Sequence, residues 1–117
     1  MAQATKVQQG TGVDYTPSSA VAAGQVVVQN DLVGVATRPI AANERGALEV
    51  DGVFDVVKVT GAINAGVNVY WDADGDPLGG TAGTGAATTT ATDNTLIGKS
   101  VKAAADTDTT VRVKLSQ

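Results

Sequence analysis

VDGVFDVVKVTGAINAGVNVYWDADGDPL, residues 50–78, contains Phe54, Tyr70 and Trp71, three of the four aromatic residues of the chain. The stretch is predicted to form two strands joined by a glycine-bounded connection. An aromatic side chain can bury about 150–250 Å² of surface, so a chain this poor in aromatic residues has to build its core around them. Phe54 and Trp71 are therefore the predicted core anchors. Alternation along the second strand turns Trp71 inward and Tyr70 towards the opposite face.

The length and composition favour one all-β domain. A chain of 117 residues fits a single domain, and its 43% of hydrophobic residues are mostly Ala and Val. Small β-branched side chains favour strands over packed helices. The sequence has about eight short apolar runs at the spacing of sandwiches and barrels. We therefore expect a small single-domain β-barrel or β-sandwich over residues 13–117.

The first twelve residues, MAQATKVQQGTG, differ from the rest because they are polar and end in a Gly-Thr-Gly hinge. They lack the apolar surface needed to fold alone, which indicates a flexible or partner-ordered arm. An edge strand over Thr5–Gln9 is an equally good interpretation. Both hold if the arm adds a strand to a neighbouring sheet.

Local patterns place several strands and turns. Gln25–Gln29 and Leu32–Thr37 are β-branched runs separated by Asn30-Asp31, the composition of a two-residue hairpin connection. In Thr109–Leu115, apolar and polar residues alternate, which predicts a strand with one buried and one solvated face.

A short repeat links two parts of the chain. Ala20–Val27 and Ala62–Val69 share the pattern Ala, apolar, x, Ala, Gly, x, x, Val. In each copy a glycine, Gly24 or Gly66, immediately precedes a predicted strand. A tight turn with positive φ before entry into a sheet explains this position.

Residues 79–94, GGTAGTGAATTTATDN, contain no large apolar side chain. They are predicted to be either a mobile surface loop or a threonine-rich hairpin limb. Side chains this small are not expected to contribute to the core.

Composition argues against most catalytic classes. The chain has no Cys and no His, which excludes disulfides, zinc sites built on these residues, thiol nucleophiles and imidazole bases. The formal charge is −4, and the eight Lys and Arg residues are dispersed along the sequence, so a nucleic-acid-binding face is disfavoured. No apolar run reaches the ~20 residues needed to span a bilayer, and no signal peptide is recognisable. We expect a non-enzymatic cytosolic product without a cofactor.

Gly98-Lys99-Ser100 matches the end of a phosphate-binding loop. The remainder of that motif fails, because the position of its first glycine is occupied by Asp93 and no helix is predicted after Ser100. The match is interpreted as a strand passing through Gly98.

The acidic turn after Trp71 is the candidate ligand site. Asp72, Asp74 and Asp76 stand at alternate positions and could converge on a calcium ion, with Tyr70 beside them as a platform for a sugar. The glycine, at position 75, does not fit a helix–loop–helix calcium loop. A solvated Asp-Gly turn is the favoured interpretation, and metal binding is the alternative.

Several ordered blocks resemble a family of small tailed-phage proteins, the capsid cement or head decoration proteins. The blocks are Asp51–Asp55, Ile63 with Gly66, Val69–Asp72, Leu96–Gly98 and Asp108–Leu115, and the resemblance runs from about Thr5 to Gln117. Members of this family are often labelled RecA/RadA-type recombinases, a label that the failed phosphate loop contradicts here. Residues 79–94 and the acidic turn depart from the family pattern.

The resemblance implies a β-rich protein on the outer surface of a phage head, made in the host cytoplasm. It also implies a homotrimer that binds the major capsid protein. Neither nucleic acid nor a membrane is an expected partner. On this basis the arm is the expected capsid contact, through Ala2, Gln3, Thr5, Lys6, Val7 and Gln8. The alternative function is a surface-displayed β module that binds carbohydrate or calcium.

Overall fold

The computed structural model describes residues 3–4 and 11–116, and their regular structure is entirely β. Nine strands form two antiparallel sheets. The first sheet has the order β1-β4-β3-β2 and consists of β1 (Gly12–Tyr15), β2 (Val26–Gln29), β3 (Leu32–Val35) and β4 (Gly46–Glu49). The second has the order β5-β9-β8-β6-β7 and consists of β5 (Val53–Val57), β6 (Asn68–Asp72), β7 (Ala86–Thr88), β8 (Thr95–Ser100) and β9 (Thr110–Leu115).

The all-β prediction is confirmed, with two differences in detail. The described residues form nine strands where about eight were expected, and the two sheets do not close into a barrel. β1 begins at Gly12, which the sequence assigned to the arm, because Gly12 pairs with Glu49. The predicted strand over Thr5–Gln9 lies outside the described residues.

The predicted turns have the expected geometry. Gln29 pairs with Leu32, so Asn30-Asp31 is a two-residue hairpin connection, and Asn30 has a φ of 55°. Gly24 and Gly66 have φ values of 83° and 80°. Residues that carry a Cβ adopt such values only with steric strain. The repeated corner is therefore confirmed at both positions.

This corner belongs to a larger internal repeat. β1-β4-β3-β2 and β5-β9-β8-β6 have the same order, and β7 is an addition to the second set. The matching backbone hydrogen bonds are Val21–Ile40 with Ile63–Ala104, Gly24–Ala36 with Gly66–Ser100, and Val50–Thr11 with Leu115–Gly52. The two halves are thus two copies of one four-stranded unit. Residues 73–94 are an insertion into the second copy. The sequence signal that extends the short repeat is Leu32-Val33-Gly34 matched by Leu96-Ile97-Gly98.

The main core joins the two sheets. Val33 and Val35 of β3 pack against buried residues of the second sheet, including Trp71, Ile97 and Val113. The opposite face of the first sheet has its own cluster, formed by Val21, Val27, Ala36, Ile40 and Leu48. β3 is consequently buried on both faces.

The prediction that residues 79–94 stay out of the core is wrong for β7. Ala86 and Ala87 are fully buried, and β7 pairs with β6. The reason is steric, because a Cβ on Gly85 would lie 2.5 Å from the Trp71 ring. Small residues are required beside the large indole, and the hairpin-limb alternative is the correct one for this strand.

Candidate functional site

β5 is an edge strand, and two backbone hydrogen bonds to residues flanking or within β9 show which of its residues bond to that strand. It pairs only with β9 among the described strands. The Leu115 N–H donates to the Gly52 carbonyl (2.9 Å), and the Lys58 N–H donates to the Thr109 carbonyl (3.2 Å). Bonded and non-bonded pairs alternate in antiparallel sheets. Even-numbered residues of β5 therefore bond to β9, and odd-numbered residues do not.

The β5 edge, defined here as Val53, Asp55 and Val57, consequently points its N–H and C=O groups away from the sheet. Their side chains are exposed as well, because Phe54 and Val56 occupy the inward positions of the strand. Val53 is 56% exposed and Val57 42% exposed, which makes both prominent apolar groups on the surface. The edge thus combines open backbone groups with apolar side chains.

Two ion pairs cross from this strand region to β9. Arg112 binds both carboxylate oxygens of Asp55, with its Nε 3.0 Å and its Nη2 3.3 Å away. The Lys114 ammonium lies 3.1 Å from Asp51 Oδ1. The hydrogen bond from Arg112 lowers the pKa of Asp55, and the Asp55 carboxylate raises the pKa of Arg112. The backbone N–H of Gly52, followed by Lys114, lowers the pKa of Asp51.

The same face gathers basic residues that are dispersed in the sequence. Lys99 of β8 lies directly opposite Lys114 of β9, and Arg112 is on the same strand as Lys114. Arg112 and Lys114 are paired with carboxylates, whereas Lys99 Nζ donates to the neutral amide oxygen Asn68 Oδ1 at 2.6 Å. Sequence reasoning missed this grouping because cross-strand register brings the three residues together.

The open edge ends at Val57 because the following residues are engaged elsewhere. The Leu78 N–H donates to the Lys58 carbonyl (2.8 Å), and the Val59 N–H donates to the Ala87 carbonyl (3.0 Å). The β5 edge is therefore a bounded segment rather than a continuous one.

A cleft of about 1130 Å³ lies between the sheets and adjoins this edge. Its walls include Val26 and Val28 of β2, Phe54 and Val57 of β5, and Trp71. Phe54 is only half-buried because it lines the cleft, although it packs against the main core. Trp71 is 9% exposed and belongs to that core, and Tyr70 is half-buried on the other face of β6.

The acidic turn uses its carboxylates internally. Asp72 Oδ1 accepts the Asp74 N–H at 3.1 Å, and Asp76 Oδ1 accepts the Gly83 N–H at 2.8 Å. Across residues 3–4 and 11–116, no three acidic side chains converge in a way that could hold a metal ion. The carboxylates of Asp72 and Asp76 therefore shape a turn in the described structure.

Gly98-Lys99-Ser100 lies within β8. A Cβ on Gly98 would overlap the Lys114 carbonyl oxygen, and the buried Ser100 hydroxyl donates to the Asn64 carbonyl at 2.6 Å. These contacts are those of a strand in a sheet, so the residues do not form a phosphate-binding loop.

Of the expected arm contacts, Gln3 is described and exposed. Ala2, Thr5, Lys6, Val7 and Gln8 lie outside the described residues.

The fold is that of a small all-β protein with an open strand edge. In the described part of the chain, no helix is long and apolar enough to cross a membrane. The model of the phage cement protein family matches residues 7–115, nearly the whole chain, and the protein belongs to this family. The resemblance seen in the sequence is thereby confirmed. Membership indicates a capsid-stabilising structural role, consistent with a protein that is not an enzyme.

Neither the comparison with curated proteins nor the comparison with solved structures gives a significant match.

Proposed function

We propose that this protein binds the outer surface of a phage head and clamps neighbouring subunits of the major capsid protein. The family match over residues 7–115 carries the proposal. The open β5 edge and its exposed valines supply surface that a partner could cover. The protein is made in the host cytoplasm and acts on the assembled shell.

Clamping would depend on several contacts acting together. The domain measures 51 × 33 × 23 Å, so one copy is long enough to lie across a boundary between subunits. When one contact is bound, the others act at high effective concentration, and the shell subunits become harder to separate. A homotrimer would multiply these contacts by placing three copies around one point of the shell.

The arm is the proposed first contact. Residues 1–11 precede β1, and an extended chain advances by about 3.3 Å per residue, so the arm can reach beyond the folded domain. Its backbone would order on the shell by adding to a sheet of the capsid subunit. The proposed contact residues are Ala2, Gln3, Thr5, Lys6, Val7 and Gln8.

Purified heads that lack this protein provide the test. Full-length protein is expected to co-sediment with them, saturate at a fixed copy number and raise the temperature at which the heads release DNA. Removal of residues 2–9 is expected to lower occupancy. A variant with residues 2–9 replaced by Gly and Ser at the same length controls for chain length and should behave like the deletion.

Two outcomes would count against the proposal. Full-length protein that does not bind the heads contradicts the function itself. Unchanged occupancy after deletion contradicts only the role of the arm. Electron microscopy of decorated heads would show whether the copies lie on the outer surface and whether they form trimers.

A further inference from the structure

We propose that the β5 edge accepts an extended segment of a major capsid subunit as an additional strand of the second sheet. This inference rests on the proposed function and names the second contact of the clamp, distinct from the arm. The added strand would bond to the outward N–H and C=O groups of Val53, Asp55 and Val57.

β5 lacks several of the features that normally protect the backbone of an edge strand. Proteins normally protect exposed edges with proline, a bulge, a lysine or a covering segment. The β5 sequence, VFDVV, contains no proline or lysine, and its pairing with β9 is continuous from Val53 to Val57. The one charge on the edge is Asp55, which is paired with Arg112 on the β9 side and leaves the outward backbone groups uncovered.

Comparison of the two halves shows that the fold alone does not require a valine at position 53. β1 is the equivalent edge strand of the first half, because the Val50–Thr11 hydrogen bond matches the Leu115–Gly52 bond. Gly12 and Asp14 then correspond to Val53 and Asp55. The first half thus has a glycine where the second exposes a valine, and the apolar edge is specific to the second half.

The adjoining cleft extends the apolar surface. Val28, on the opposite wall, is 38% exposed and lines the same cleft as the inward-facing Phe54. A strand added to β5 would enter the cleft and cover side chains of both sheets. Backbone bonding would supply affinity, and alternate side chains would supply specificity.

Charge favours a shell segment over a second copy of β5. Antiparallel pairing of two β5 strands over their full length would place the two Asp55 residues directly opposite each other, and like charges at such positions destabilise a sheet. A suitable segment has apolar residues opposite Val53 and Val57 and a non-acidic residue opposite Asp55. A neighbouring capsid subunit is the partner expected to supply it.

Val57→Pro tests the backbone part of the proposal. The Val57 N–H points outward, so proline removes a donor for the added strand without removing a bond to β9. The variant is expected to bind heads at least about tenfold more weakly, because it loses one well-made hydrogen bond and the contacts that flank it. Val57→Thr keeps the N–H and the side-chain shape, and it should bind more tightly than the proline variant. Circular dichroism and thermal unfolding of both variants check the fold.

Cysteine labelling gives a second readout that does not depend on the proline variant folding. The chain has no cysteine, so Val57→Cys introduces a unique thiol. Maleimide should label it rapidly in the free protein and at least about tenfold more slowly on heads, as expected for a side chain covered by a partner. Val101→Cys, at a position 48% exposed and two strands away, should remain reactive in both states.

The outcomes separate this inference from the proposed function. A thiol that stays reactive when the Val57→Cys variant is bound to heads, together with normal binding of Val57→Pro, overturns the inference and leaves the function standing. Slow labelling that appears in the purified Val57→Cys variant as its concentration rises shows that a second copy covers the edge, which also overturns it. Wild-type protein that fails to bind heads overturns both.

Discussion

The ammonium group of Lys58 lies 3.2 Å from the backbone carbonyl oxygen of Asp108, and the lysine side chain is fully buried. The carbonyl oxygens of Ala105 and Asp106 also accept from it, at 3.3 Å and 3.5 Å. Lys58 therefore ties the end of the β5 run to the turn before β9. Hydrogen bonds from a charged donor are among the stronger contributors to stability.

Lys58→Met should lower the free energy of unfolding by about 2–4 kcal/mol. The methionine keeps most of the length but leaves three carbonyl groups without their donor. Urea-induced unfolding measures the effect. Lys99→Met, at an exposed position, is the matched control and should change stability by less than about 0.5 kcal/mol. Equal losses in the two variants would show that the buried contacts are unimportant.

Gly98→Ala should prevent folding or lower the free energy of unfolding by more than about 3 kcal/mol. The new Cβ would overlap the backbone carbonyl of Lys114, which cannot move without breaking the β8–β9 pairing. Gly24→Ala has open space around the new Cβ and only the strain of a positive φ, so about 1–2 kcal/mol is expected. Thermal unfolding distinguishes the two, and a milder effect at Gly98 would contradict the close approach.

Gly85→Ala should perturb Trp71, whereas Gly83→Ala should not. Both glycines have positive φ, but a Cβ at Gly85 would lie 2.5 Å from the indole and one at Gly83 has open space. Trp71 is the only tryptophan, so its fluorescence reports this site alone. We expect a shifted emission maximum and the larger fall in melting temperature for Gly85→Ala. Identical spectra in both variants would mean that the ring adjusts freely.

Much of the fold follows from local sequence. The alternation in Thr109–Leu115 predicts β9, whose Val111, Val113 and Leu115 are buried in turn. Asn30-Asp31 and the glycines of the repeated corner mark turns because they tolerate positive φ. These features depend on neighbouring residues, so a single sequence reveals them.

The remaining features depend on contacts between distant parts of the chain. Ala86 and Ala87 are core residues only because Trp71 lies beside them, and Lys58 can be buried only because the 105–108 turn presents its carbonyl groups. The outward direction of the Val53 and Val57 backbone depends on the register with β9. Pairing registers of this kind are not encoded by composition or periodicity, and the candidate edge was therefore not predicted.

Calcium should leave the stability of the protein unchanged. A ligand that prefers the folded state raises the melting temperature, but Asp72 and Asp76 accept backbone N–H groups of the turn instead of converging on one point. A thermal-shift titration to millimolar calcium, with magnesium as the control ion, checks this. A saturable rise specific to calcium, abolished in Asp74→Asn, would favour the alternative function.

Acid should destabilise the protein through Asp51 and Asp55. Both folded-state pKa values are lowered from 3.8, Asp51 mainly by the Gly52 N–H and Asp55 mainly by Arg112. A carboxylate with a lowered folded pKa contributes stability above its unfolded value and loses it as the pH falls through the folded one. Melting temperature should therefore decline between about pH 4 and pH 2.

Asp55→Asn should make this decline shallower because the Arg112 pair is gone. Asp14→Asn, at the equivalent position of the first half, where the described residues provide no ion pair, should lower the melting temperature at neutral pH by less than Asp55→Asn does. Parallel profiles for Asp55→Asn and wild type would show that the ion pair does not form in solution.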